Sequence, residues 1–138
     1  MRLTFYADED GDHYGRLVVE VQHEGFGGIS ESYFDIDELL RFAEQLGRYP
    51  LPDPAPRLVG GYGYPEVDEV HLLLMATQIS PRGQVGIDVL LRSEDAEGPR
   101  TREVHLTMPT TYGRLDTFHQ ELTAVVNSRS VETGRPWC

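Results

Sequence analysis

Residues 34–50, FDIDELLRFAEQLGRYP, constrain the chain most, because nearly every position in them has a helical reading. Asp35 followed by Glu38 is an Asp variant of the capping box. The Asp carboxylate can accept from a free N–H of the first turn while the Glu reaches back to the cap's own N–H. Phe34 before the cap and Leu39 one turn in are spaced for a hydrophobic staple. Ile36, Leu39, Leu40, Phe42, Ala43 and Leu46 gather on one side, and Asp37, Glu38, Arg41, Glu44 and Gln45 fill the other. Gly47 is expected to supply a left-handed stop, and Pro50 forbids continuation. Such a helix must lay its apolar face on something.

The rest of the chain supplies it twice. Residues 3–7 read as a strand, then DEDGDHYG as a turn. Leu17, Val19 and Val21 alternate with Val18, Glu20 and Gln22 as a half-buried strand, residues 24–28 turn, and residues 29–34 form a third strand before the helix. After the connector the order repeats. Residues 70–79 are a strand, SPRG a turn, Val85, Ile87, Val89 and Leu91 an alternating strand, SEDAEGPR a loop, and residues 103–108 a strand leading into a second helix. Gly83, Val85, Ile87 and Val89 match Gly15, Leu17, Val19 and Val21, and Leu115, Phe118 and Leu122 match Leu39, Phe42 and Leu46. The pattern predicts an α+β fold: a mostly antiparallel sheet of about six strands, as one curved sheet or two packed halves, with two amphipathic helices. It reads as one domain over residues 1–138, built from two β-β-β-α units, 1–49 and 66–128, with a tail at 129–138. The Pro/Gly-rich connector 50–65 is expected to be extended and stiff, with Leu58 and Val59 adding a short edge strand. Both alternating sets of His71-Leu72-Leu73-Leu74-Met75 are apolar, so this strand is expected to be central and covered on both sides.

Charge and composition exclude several functions. The formal net charge is −11, which opposes binding to nucleic acid or an anionic membrane and suits a basic protein partner. Residues 1–50 carry 11 acidic and 4 basic side chains, so the N-terminal part is the more acidic. All 12 basic residues are Arg, which removes Schiff-base chemistry and the lysine-dependent phosphate loops. The one cysteine, Cys138, permits neither an internal disulfide nor a Cys-rich zinc site. No signal peptide or membrane-length apolar run is present, so a cytoplasmic protein is expected.

Candidate chemistry is sparse. Asp8, Glu9, Asp10 and Asp12 surround Gly11, but with Asp8 first, the twelfth EF-hand position is Val19 and not Glu. A solvated turn is preferred to a metal site, and no cofactor or metal is expected. None of the five histidines forms a zincin pattern. His105 is expected to face away from the core. His119 sits within the apolar stripe of the second helix, where a buried, neutral, hydrogen-bonded histidine is the plainer reading and a catalytic base the sharper one. Tyr62 and Tyr64 in the glycine-rich patch, near Tyr49, can form a partner-binding surface or pin the connector to the sheet. No nucleophile elbow or dinucleotide fingerprint is legible, so no catalytic residue is assigned.

GRLVVEVQHEGFGG, YFDIDELLRFAEQL, LVGGY, GQVGIDVLL and TYGRLDTFHQEL together resemble a group of small uncharacterised bacterial α+β proteins, some classed with the immunity proteins of polymorphic toxin systems. The likeness spans nearly the whole chain but consists of hydrophobic spacing and glycines, and it transfers no site residue. A tryptophan expected before the first helix is Tyr33 or Phe34 here. The resemblance implies a non-enzymatic role, neutralising a toxin domain. The function expected is therefore a protein-binding module for a basic partner, using Asp8, Glu9, Asp10, Asp12, Tyr62 and Tyr64. The alternatives are a small-molecule site or enzyme between the two units, near His119 or the Tyr62–Tyr64 patch, and a structural homodimer.

Overall fold

A computed structural model of the chain describes residues 1–8, 13–63, 66–94 and 101–128. The elements are β1 (Arg2–Ala7), β2 (Tyr14–His23), β3 (Phe26–Asp35), α1 (Ile36–Leu46), β4 (Arg57–Tyr62), β5 (Glu69–Gln78), β6 (Val85–Glu94), β7 (Thr101–Thr110) and α2 (Tyr112–Ser128). The class is α+β, with seven strands rather than about six, and of the two arrangements expected it is not one curved sheet but two antiparallel sheets, β1-β2-β3 and β4-β5-β6-β7. The strand suspected at Leu58 and Val59 is the seventh, β4, at the edge of the second sheet. His23 pairs with Phe26, so the β2–β3 turn is only Glu24-Gly25, with φ of 50° and 85°. Two left-handed residues match the twist of the strands they join. Gly27 and Gly28, expected in that turn, belong to β3.

Alternation holds where it is strongest. Leu3, Phe5, Leu17, Val19 and Val21 are buried beneath the first sheet, and Leu72, Leu74, Val85, Ile87, Val89 and Met108 beneath the second. These side chains share one core with the buried faces of both helices. Among the described residues, helices cover the interior strand β5 on one side only. Its other row, with Leu73 and Met75, is half-buried among its neighbours because both helices lie on the inner faces.

The helices meet through Phe42 and Phe118, whose rings stand edge to face at 6.5 Å. At the start of α1 the Asp35 carboxylate accepts from Asp37 N–H at 2.8 Å. The return bond from Glu38 is not formed, and Ile36 N–H donates to the His13 carbonyl. Thr111 caps α2, its hydroxyl accepting from Arg114 N–H at 3.1 Å. Gly47 corrects its expected role: φ is −82°, right-handed. The glycine serves helix packing, because a Cβ there would stand 2.9 Å from the His119 ring.

β3 organises the joint between the sheets. Its inward row is Gly28, Ser30, Ser32 and Phe34, small until the last residue, while Ile29 and Tyr33 point outward at 56% and 67% exposure. The small row exists because β3 runs across the second sheet instead of pairing alongside it. A Cβ on Gly28 would meet Val104 of β7 at 2.7 Å, Ser30 Oγ donates to the Arg92 carbonyl of β6 at 2.7 Å, and a Cβ on Gly60 of β4 would meet Ser32 at 2.5 Å and Phe34 at 2.6 Å. Larger side chains would hold the sheets apart. This crossing is the physical reason for two sheets.

Candidate functional site: the outer face of the first sheet and the groove beside β3

No described element covers the outer face of the first sheet. By register its rows are Tyr6–Arg16–Tyr33, Thr4–Val18–Glu31 and Arg2–Glu20–Ile29, with Tyr14 beyond the first row. Tyr6, Tyr14, Ile29 and Tyr33 are all exposed. The Arg16 guanidinium lies 4.6 Å from the Tyr6 ring centroid, and one of its nitrogens is 3.5 Å from Glu31. Arg16 is therefore held by the Tyr6 ring and the Glu31 carboxylate, and an arginine beside exposed tyrosines is typical of energetic centres in protein interfaces.

Where β3 crosses the second sheet, this face descends into a groove. Its main recess, about 400 Å³, lies between Val18, Ile29 and Glu31 on one side and Tyr62, His71 and Arg92 on the other. Recesses of about 190 and 170 Å³ continue it towards Gly27 and Tyr33. The Tyr62 ring stands edge-on to His71 at 4.9 Å and remains 67% exposed. The lining mixes apolar walls with both signs of charge, Glu31 on one side and Arg92 on the other.

Of the residues singled out in the sequence, Tyr62 lies in the groove and Asp8 at the edge of the same region. Asp8 is exposed, and its N–H donates to the Tyr14 carbonyl at 3.0 Å, extending the β1–β2 ladder. Glu9, Asp10, Asp12 and Tyr64 lie outside the described residues. His119 is not part of the groove and corrects its expected setting: it is half-buried against Gly47, and its buried Nδ1 has no hydrogen-bond partner. Tyr49 does pin the connector, but to a helix: its ring stacks edge-on with Tyr112 at 4.7 Å, and the Tyr112 hydroxyl accepts from Leu51 N–H. His105 is exposed.

Sequence reading missed Arg16, Ile29 and Tyr33 as a surface, because only the β1–β2–β3 register brings them together. It also missed His13, Asp35 and Asp37, whose ligand atoms all lie within 4.8 Å. His13 Nε2 is 2.9 Å from Asp37, and Asp35 already caps α1. Glu38, one turn along, is held above the ordinary carboxylate range by its partial burial and then by the Asp35 carboxylate. The group sits at the positive end of a helix dipole, a position that stabilises carboxylates and disfavours a cation. It is explained as a helix start.

Among the described residues no helix is long and apolar enough to cross a membrane. Comparison with known protein families, characterised proteins and solved structures finds no match for this chain.

Proposed function

We propose that this protein is a non-catalytic protein-binding module of the immunity type, which sequesters a basic protein through the outer face of its first sheet. One observation carries the reading: Tyr6, Ile29 and Tyr33 are exposed with Arg16 on a face that no described element covers, and the exposed ring of Tyr62 stands across the groove from it. An interface core of tyrosine, arginine and an aliphatic residue is the composition that concentrates binding energy. The face itself carries Asp8, Glu20 and Glu31 beside Arg2 and Arg16, and the net charge of −11 of the whole chain accelerates encounter with a positive partner.

The test is affinity capture from the native cell at low and high salt, with wild type beside the Arg16→Ala/Tyr33→Ala double variant. A single basic protein held by wild type, released by salt and lost with the variant is expected. Retention of nothing by wild type, or equal retention by both proteins, would contradict the reading.

A further inference from the structure

We infer that the outer edge of β3 is a docking edge at which an extended segment of the basic partner adds a fourth strand to the first sheet. This rests on the binding role proposed above and names its mode.

Hydrogen-bond parity comes first. Asp8 N–H donates to Tyr14 O, and Ile36 N–H to His13 O. In an antiparallel ladder the direction of these groups alternates residue by residue. With the unbroken β2–β3 register, Gly28, Ser30, Ser32 and Phe34 turn their main-chain groups to β2, while Ile29, Glu31 and Tyr33 turn theirs away. Among the described residues no strand pairs with that side. These three outward residues line the groove.

The other edges are blunted. β1 and β4 have six residues each, and β4 is broken by a register shift at Gly60/Gly61. β7 carries Pro109, which cannot donate, together with Arg102 and Glu103. Short length, bulges, proline and charge are the usual defences of a free edge. β3 has ten residues, no proline and no bulge, and its outward row contains Ile29 and Tyr33. From Gly27 to Tyr33 the edge runs about 20 Å, room for an extended segment of roughly six residues.

The occupant follows from the walls and the charge. The far side of the groove is the end of the second sheet at Tyr62 and His71. A second copy would bring a second charge of −11. A basic segment with apolar side chains at alternate positions satisfies the open main-chain groups, the Val18–Ile29–Tyr62 walls and the field of the whole molecule.

The experiment pans a display library of randomised linear peptides against the immobilised protein, then compares binders on wild type, Glu31→Pro and Tyr33→Ala. Glu31→Pro removes an N–H that points away from β2, so the β2–β3 ladder is kept. Selected peptides should alternate basic and apolar residues and lose at least tenfold in affinity on Glu31→Pro. Binders indifferent to Glu31→Pro but weakened by Tyr33→Ala would overturn strand addition while leaving the face reading intact; no binder at all would also overturn it. Should Glu31→Pro not fold, amide exchange in wild type decides. Bound peptide should slow the Ile29, Glu31 and Tyr33 amides at least tenfold, and unchanged exchange at all three would refute the inference. Protection of those amides that rises with protein concentration without peptide would mean that a second copy takes the edge, which also refutes it.

Discussion

β3 and β7 occupy the same place in their sheets, each the last strand of an antiparallel meander and each leading into a helix, yet they are built inside out relative to one another. β7 turns Val104, Leu106 and Met108 inward and Glu103, His105 and Thr107 outward, where Thr107 bonds the Asp88 carboxylate. β3 turns Gly28, Ser30 and Ser32 inward and Ile29 and Tyr33 outward. Both obey period-two alternation. The difference lies in what each inner face meets: β7 covers the core, whereas β3 is pressed against another sheet's backbone at the crossing. Apart from the buried Phe34, β3 turns Ile29 and Tyr33 to the side that the core does not use, which makes its outer face the functional candidate.

The comparison can be broken by substitution, and the largest effect belongs to the one large inward residue of β3. Phe34→Ala should cost about 3–5 kcal/mol by leaving a cavity beneath the crossing, read by denaturant unfolding. Next is the crossing itself. Gly28→Ala puts a Cβ 2.7 Å from Val104 and should destabilise by about 1–3 kcal/mol. In the Val104→Ala background the same change should cost much less, a coupling that a double-mutant cycle measures. Ser30→Ala removes the bond to the Arg92 carbonyl and should cost about 1 kcal/mol. Smallest is Tyr33→Ser, which should change stability by no more than about 0.5 kcal/mol despite removing a ring. A large loss there would mean that the outward row is structural after all.

How much of this is legible in the sequence differs between β3 and the strands that cover the core. Leu17, Val19 and Val21, like Val85, Ile87 and Val89, announced their inward rows, and the spacing of Leu39, Phe42 and Leu46 announced the face of α1. Those signals are local, and period alone carries them. β3 was placed but not oriented, because Gly and Ser at inward positions read as turn residues unless their partners are known. Those partners, Val104, Arg92 and Gly60, lie far along the chain. Gly47 was misread for a similar reason: a glycine after a helix suggests a left-handed cap, and only the approach of His119 shows that it makes room. Tyr62 is legible from its glycine-rich setting. Arg16 and Tyr33 carried no signal before the register set them side by side.

The most direct measurement is residue-resolved amide exchange on the free protein. A strand that crosses the second sheet and pairs only with β2 should protect Gly28, Ser30, Ser32 and Phe34 and leave Ile29, Glu31 and Tyr33 fast. Leu72, Leu73 and Leu74 of the interior strand β5 should all be slow, because that strand is paired on both sides. Uniform protection along β3 would mean that its outer edge is already paired, and both the two-sheet crossing and the open docking edge would then be wrong.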